Sequence, residues 1–388
     1  MTRPTDLIWM RRALQLAAMA EGQTSPNPMV GAVVVHEKRI IGEGYHLKAG
    51  TPHAEVHAVN AVKDRSLLAA STIYVTLEPC SHHGKTPPCT DLIISSGIRR
   101  VVIGTPDTNP LVGGRGIQRL RQAGIEVVTG VLEEECRHLN RRFFTWHEKK
   151  RPYVILKWAR SADGFIDLCR KPGDPVEPNW ITGMAERVLV HRWRAAEDAI
   201  LAGGGTIRAD NPALNVRFWS GRNPVRVIVS RSGAMNRESA AFDGEAKTII
   251  FTCNRDLAIP GATIRQLTAA DRGNPAPGQP TGSPLGNPAP GQPTGSPLGN
   301  PASGQPDGPA HFPGEVLASL YDDGIQSVFI EGGAFIIRSF AEAGLWDEAR
   351  RFTGQVSFGQ GISDPFPEFT PEKTVHFDKS ILEFAYHF

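Results

Sequence analysis

The sequence predicts an α/β protein built from two units, and three observations carry that expectation. The chain has 388 residues, more than one core of ordinary size holds. Short β-rich runs alternate with helical segments along most of it. A charged run from His147 to Pro152 (HEKKRP) separates two such patterns, which places the units at 1–147 and 151–388.

In the first unit the periodicity reads as helix Leu7 to Ala20, strand Gly31 to Val35, helix Ala54 to Val62 and strand Thr72 to Leu77. Helix Thr90 to Ser96, strand Arg100 to Ile103, helix Ile117 to Ala123 and strand Glu126 to Val128 follow. Strands alternating with helices imply a largely parallel sheet with helices on both faces, a three-layer αβα arrangement. In the second unit, strands are expected at Tyr153 to Trp158, Ala199 to Ala202, Val225 to Val229 and Thr248 to Thr252. A last strand, Gln326 to Ile330, runs into a Gly-Gly turn and a helix.

One tract interrupts this second pattern. Gly273 to Pro309 holds 11 Pro and 9 Gly in 37 residues, and NPAPGQPTGSPLG at 274–286 repeats identically at 287–299. Each unit carries one large apolar residue, Leu285 or Leu298, so stacked repeats would bury almost nothing. The composition cannot offset the entropy of ordering it, and the tract reads as a disordered insertion in a surface loop. The alternative, a Pro-rich ligand for an aromatic groove, lacks a basic residue close to a Pro-x-x-Pro core.

Composition excludes several functions. A net charge of +2, with 42 basic against 40 acidic residues, is too balanced for a polyanion-binding protein. No apolar run approaches the length of a membrane-spanning helix, and Met1 to Met10 does not read as a secretory signal. Five scattered cysteines suit metal binding or a reducing cytoplasm better than a disulfide framework.

One constellation carries chemistry. Thr51-Pro52-His53-Ala54-Glu55 opens a helix, with Thr51 suited to the N-cap and Pro52 to the first helical position. Leu77-Glu78-Pro79-Cys80 closes a strand, and Pro87-Pro88-Cys89-Thr90-Asp91 opens the next helix. One imidazole and two thiolates make three ligands for tetrahedral zinc and leave a fourth position for water, which then ionises near neutral pH. A helix N-terminus favours a thiolate at Cys89. Glu55 is not needed as a ligand and can carry a proton from that water to a leaving amine. His-x-Glu alone is uninformative, and two cysteines could be structural. Their conjunction with the prolines and helix starts matches hydrolytic pyrimidine deamination.

These residues resemble the bifunctional riboflavin-biosynthesis family RibD, a deaminase fused to a reductase. The match runs through Asn27-Pro28-Met29-Val30-Gly31, Gly44-Tyr45-His46, His53-Ala54-Glu55-Val56-His57-Ala58 and Thr76-Leu77-Glu78-Pro79-Cys80-Ser81-His82-His83-Gly84-Lys85-Thr86-Pro87-Pro88-Cys89. It continues at Asp107-Thr108-Asn109-Pro110 and Gly113-Gly114-Arg115-Gly116. The eight residues between the cysteines are the most specific part. The resemblance implies a cytidine-deaminase-like first domain with His53, Cys80 and Cys89 as zinc ligands and Glu55 as proton shuttle. It implies that Asn27, His46, Lys85, Asp107 and Asn109 line the pyrimidine and ribose-phosphate site, Lys85 being apt for phosphate.

The second half is less explicit. Gly203-Gly204-Gly205-Thr206 and Glu331-Gly332-Gly333 each follow a strand, where backbone N–H groups can approach phosphates. No G-x-G-x-x-G follows a first strand, so the residues alone leave tight turns equally open. Lys157, Ser161, Asp163-Gly164, Trp180-Ile181-Thr182, Pro212 and Leu345-Trp346-Asp347-Glu348 extend the resemblance. It implies a dihydrofolate-reductase-like second domain using NADPH, contacted by Trp180, Thr206, Asp210 and Gly333, Ala334, Phe335, Ile336, Ile337, Arg338 and Ser339. Arg194, Leu214, Arg217 and Glu331 would meet a phosphoribosylamino substrate, and Lys157 and Asp210 would assist hydride delivery to the ribose C1.

The chain departs from the family pattern at Ala162, Pro178 and Arg231. Two rival readings therefore stand beside the bifunctional enzyme: a nucleic-acid deaminase with an accessory domain, and a deaminase with an inactive reductase-like half. The expected setting is cytoplasmic, with a small-molecule substrate, no nucleic-acid or membrane partner, and a homo-oligomeric assembly.

Overall fold

A computed structural model describes residues 3–82, 87–108, 113–171, 174–268 and 312–387. The Pro/Gly tract, Lys85 and Asn109 lie outside the described residues.

The first half contains α1 (Pro4–Ala18), β1 (Gly31–His36), β2 (Arg39–Tyr45), α2 (Ala54–Asn60), β3 (Thr72–Leu77) and α3 (Cys89–Ser95). It continues with β4 (Arg100–Thr105), α4 (Arg115–Gln122), β5 (Glu126–Val128), α5 (Glu133–Leu139) and α6 (Arg141–Lys149). The sheet order is β2-β1-β3-β4-β5. Residues alternate between two cores. Ala32, Val34, Ile73, Val75, Val101 and Ile103 pack beneath α2, α3 and α4. Val33, Val35, Tyr74, Val102 and Val128 pack against α1 and α5, which completes three layers.

The expectation of a largely parallel sheet needs correction. β1 runs antiparallel to both β2 and β3, and only the β3–β4–β5 pairings are parallel. The cause is a two-residue hairpin at Glu37 and Lys38, with φ of 45° and 64°. Positive φ at both positions gives the turn the hand of a primed hairpin. A two-residue turn cannot make a parallel crossover. Neither residue is the Gly or Asn that announces such turns, so β2 went unread. Its glycines let α2 lie directly on it. A Cβ on Gly42 would sit 2.2 Å from the Ala58 carbonyl oxygen, and one on Gly44 would sit 2.4 Å from the His57 Cβ.

The second half contains β6 (Tyr153–Arg160), β7 (Phe165–Asp167), α7 (Met184–Ala196), β8 (Ala199–Gly203), α8 (Gly204–Asp210), β9 (Val225–Val229) and β10 (Thr248–Thr252). Next come β11 (Ala262–Gln266), α9 (Phe312–Asp322), β12 (Ser327–Ile330), α10 (Ala334–Glu342), β13 (Glu348–Gly354), β14 (Ile362–Ser363), β15 (Lys373–His376) and β16 (Ser380–Tyr386). Nine strands form one sheet in the order β11-β10-β9-β8-β12-β6-β13-β16-β15. The pairings from β11 to β13 are parallel, and β16 and β15 close it antiparallel. The chain leaves this sheet after β11 and re-enters it at β12, so the Pro/Gly tract interrupts a single sheet. β13 escaped the sequence reading because its charges are buried in pairs: Arg350 with Glu348 at 2.7 Å, and Arg351 with Glu383 at 3.0 Å.

The end of the first half, from α6 through the charged run, is bound to the second half. Arg142 forks onto buried Glu197, Arg141 reaches Glu348 at 3.3 Å, and Lys149 reaches Asp347 at 3.1 Å. Arg151 holds the same Asp347 with a 2.8 Å hydrogen bond. These contacts involve buried acidic partners, so they fix the halves more firmly than surface pairs would.

Candidate active sites

The first site forms where the start of α2, the end of β3 and the start of α3 meet. α2 lies on β2 and brings His53 and Glu55 to Cys80, just past the carboxyl end of the middle strand β3. His53 Nδ1 lies 3.3 Å from Cys89 Sγ and 3.6 Å from Cys80 Sγ. All three donor atoms fall within 4.8 Å of one another. Tetrahedral zinc bonds of about 2.1 Å to nitrogen and about 2.3 Å to sulfur separate their ligands by about 3.6 Å. The donor set therefore fits zinc. The backbone N–H of Cys89 donates to Cys80 Sγ at 3.3 Å, which stabilises negative charge on that sulfur. The second thiol beside it and His53 hold the Cys80 thiol well below its ordinary range.

Glu55 is 3% exposed. Burial, and then the neighbouring Cys80 charge, push its carboxyl up to about 7. His46 is also buried, and its ring meets that of His53 edge-on at 5.5 Å. His46 Nδ1 pairs with the Pro52 carbonyl at 3.1 Å, so Nδ1 carries the proton. Its Nε2 then accepts from Asn27 Nδ2 at 3.1 Å. Burial lowers the pKa of His46, in keeping with this neutral form. Asn27, His46, His53, Glu55, Cys80 and Asp107 all line one cavity of about 840 Å³. Its far wall is built by the second half, including Asp198, Arg222 and Gln326.

Glu78, in the Leu77-Glu78-Pro79-Cys80 segment, organises this cavity. Its buried carboxylate accepts four backbone N–H groups: Asp107 at 3.1 Å, Gly114 at 3.0 Å, Gly116 at 2.9 Å and Ile117 at 3.1 Å. It thereby fixes the segment bearing Asp107 and satisfies the N-terminus of α4. No spacing rule signals this role, because its partners are main-chain groups.

The second site lies beyond the carboxyl ends of the parallel strands β6, β8 and β12, where ligands of open α/β sheets bind. Its cavity is about 590 Å³ and is lined by Lys157, Trp180, Thr206, Asp210, Glu331 and residues 333–337. The two glycine turns sit side by side. A Cβ on Gly332 would fall 2.8 Å from the Gly203 nitrogen, and Gly333 N–H donates to Thr206 Oγ1 at 2.9 Å. Arg194 forks onto Glu331 at 2.6 and 2.8 Å, with Lys157 Nζ 3.8 Å from the same carboxylate. Burial opposes the Glu331 charge, but these two cations bring its carboxyl down to about 2. Burial lowers the Lys157 pKa. Asp210 pairs with Arg170 at 2.9 Å and is nevertheless pushed up to about 6 by burial. Trp180 is exposed, with Arg187 stacked 3.8 Å from its ring centre.

The other expected residues stand apart from this cavity lining. Leu214 packs in a core cluster with Ile207 and Ile228. Arg217 donates its N–H to His191 Nδ1 at 2.9 Å. Arg338 is exposed on α10, and Ser339 Oγ caps the Phe335 carbonyl at 2.8 Å. Of the departures, Pro178 lines the cavity and Arg231 is exposed.

Residues 4–105 match the zinc-binding region of cytidine and deoxycytidylate deaminases. Residues 152–269 and 311–380 match the RibD C-terminal domain, with the Pro/Gly tract between them. The riboflavin biosynthesis protein RibD of Bacillus amyloliquefaciens is 40% identical over 356 residues, covering 90% of this chain and 85% of that protein. The Escherichia coli RibD protein is 43% identical over 276 residues, covering 68% and 73%. A crystal structure of the diaminohydroxyphosphoribosylaminopyrimidine deaminase/5-amino-6-(5-phosphoribosylamino)uracil reductase of Thermotoga maritima superposes with a TM-score of 0.80 at 36% identity, covering 98% of both chains. Acinetobacter baumannii RibD gives 0.78 at 31% identity, again over 98% of both.

Proposed function

The chain belongs to the RibD family, and from that membership we propose which residues perform each of its two reactions. It is a bifunctional enzyme of riboflavin biosynthesis, a zinc deaminase joined to a reductase. Membership sets aside the nucleic-acid deaminase reading.

The deaminase substrate on this reading is a diaminohydroxyphosphoribosylaminopyrimidine, bound in the first cavity. Zinc held by His53, Cys80 and Cys89 would make water nucleophilic at neutral pH. Asn27 spends its amide N–H on His46, which leaves its carbonyl oxygen to accept from an N–H of the pyrimidine. Asp107 orients the ring from the opposite segment. Glu55 takes a proton from the attacking water and returns it to the departing amine, so that ammonia leaves and a ring carbonyl forms. Lys85 and Asn109 complete the ribose-phosphate contacts in this proposal.

NADPH bound in the reductase cavity would supply hydride to the ribose C1. Thr206, Trp180 and the start of α10 at 333–337 would position the cofactor, with Arg338 and Ser339 farther along that helix. Glu331 and Arg194 form a rigid pair that would orient the ribose; Leu214, in its core cluster, and Arg217 would back the substrate site from outside the cavity lining. Lys157 and Asp210 are among the polar groups of the cavity wall able to hand on a proton as the ribosyl ring opens to a ribityl chain. The reading extends to setting. Among the described residues no helix is long and apolar enough to cross a membrane. Five unpaired cysteines suit a reducing cytoplasm.

The observation that carries the proposal is the meeting of three zinc-type donors with a buried carboxylate in one cavity. Glu55→Ala tests it: ammonia release should vanish while NADPH oxidation on pre-deaminated substrate persists. Survival of both activities would show the residue assignment to be wrong. Ammonia release without any NADPH oxidation in the unaltered enzyme would instead mark the second half as inactive.

A further inference from the structure

We infer that the reductase half positions the substrate-binding loop of the deaminase, through Asp198 and Gln326. The inference rests on the reading that Asn27 binds the pyrimidine. Asn27 sits in the connection between α1 and β1, and that connection is held from outside its own sheet. Ser25 Oγ donates to Asp198 Oδ2 at 3.0 Å. Gln326 Nε2 donates to the Pro26 carbonyl at 2.8 Å. The two holders are locked together, because Gln326 N–H donates to the same Asp198 oxygen at 2.9 Å. Arg222 engages the other oxygen of Asp198 at 2.5 Å. Asp198 and Gln326 are 7% and 5% exposed, so these are sheltered hydrogen bonds. Both also line the deaminase cavity itself.

Their location separates this role from reduction. Asp198 and Gln326 directly precede β8 and β12, at the amino ends of those strands. The reductase cavity uses Gly203 and Glu331 at the carboxyl ends. Five residues of strand put about 16 Å between the two ends. The two ends of one pair of strands therefore serve two reactions. The carboxyl ends carry the reductase site, and the amino ends brace the deaminase loop. Asp198 and Gln326 are positioning residues, acting through Asn27 and, through its hydrogen bond, His46.

The test removes each tether with little change of shape: Gln326→Met and Ser25→Ala, singly and together, in the full chain, with Asn27→Ala as reference. A loop displaced from the substrate weakens ground state and transition state alike, so KM should rise and kcat should hold. Loss of one hydrogen bond corresponds to roughly a three- to tenfold rise in KM for ammonia release. Ser25→Thr, which keeps the hydroxyl, should retain the unaltered KM. Both reductase constants on pre-deaminated substrate should stay unchanged. If Asn27→Ala raises KM and the double variant does not, the inference falls while the reading of the site stands. If Asn27→Ala itself leaves KM unchanged, the site reading fails and takes the inference with it. A parallel fall in both activities and in melting temperature would reduce the tethers to fold-holding contacts and overturn the inference.

Discussion

Replacing Glu78 by Gln should disable deamination without touching any zinc ligand. The perturbation is one oxygen exchanged for an NH₂ group. Each Glu78 oxygen accepts two backbone N–H groups, at 2.9–3.1 Å, in a site shielded from solvent. The amide keeps one acceptor and turns two donors against two donors. Hydrogen bonds to a charged group contribute about 1.5–3 kcal/mol each, so losing two costs about 3–6 kcal/mol. The stability of a whole domain is only about 5–15 kcal/mol. The segment carrying Asp107 and Gly116 should therefore release from Glu78 and from Pro79, against which Gly116 packs. The assay pairs ammonia release with NADPH oxidation on pre-deaminated substrate, and adds zinc content and a melting curve. We expect kcat/KM for ammonia release to drop at least a hundredfold, with reductase constants kept. Glu78→Gln enzyme that deaminates normally and melts at the unaltered temperature would refute the claim that these four bonds hold the cavity.

Glu331→Gln should leave Arg194 and Lys157 buried without their counter-charge, costing about 3–5 kcal/mol and impairing reduction while deamination persists. The Glu331 carboxyl is depressed to about 2 from an ordinary 4.5, so its contribution is complete above about pH 4.5 and is lost as pH falls toward 2; melting curves of both proteins should converge over that window. His191 behaves in the same direction in a higher window. Burial first, then Arg194 and Arg217, bring it down to about 4, and its Nδ1 accepts the Arg217 N–H, so the folded chain keeps it neutral. Its stability contribution is present above about pH 6.5 and falls away toward pH 4, by about 3 kcal/mol, and His191→Gln should flatten that part of the melting profile. Two glycine substitutions should divide the activities. A Cβ on Gly116 would meet the Pro79 carbonyl oxygen at 2.1 Å, and Gly116→Ala should abolish only ammonia release. A Cβ on Gly332 would meet the Gly203 nitrogen at 2.8 Å, and Gly332→Ala should abolish only NADPH oxidation.

The sequence by itself determined the elements whose side chains repeat with a clear period, and it marked a candidate metal-donor set at helix starts and a strand end. β3 and β5 fall at the residues the pattern assigns, as do β9 and β10. His53, Cys80 and Cys89 were legible because zinc needs a fixed donor set, and few residue types can supply it. Tertiary structure alone decided the direction of β1 and β2, since their hairpin is closed by Glu37 and Lys38 rather than by residues that favour positive φ. It alone decided that charged β13 is an interior strand, because ion pairs with distant residues, Arg351 with Glu383 and Glu348 with Arg141, make its burial tolerable. It alone brought Asp198 and Gln326 from the second half to the Asn27 loop, and set Glu78 against four main-chain N–H groups. The physical reason is the same for β13, for Asp198 and Gln326, and for Glu78. Periodicity and ligand chemistry are carried by a residue's own side chain, whereas a hydrogen bond to another segment's backbone or charge exists only once the chain has folded.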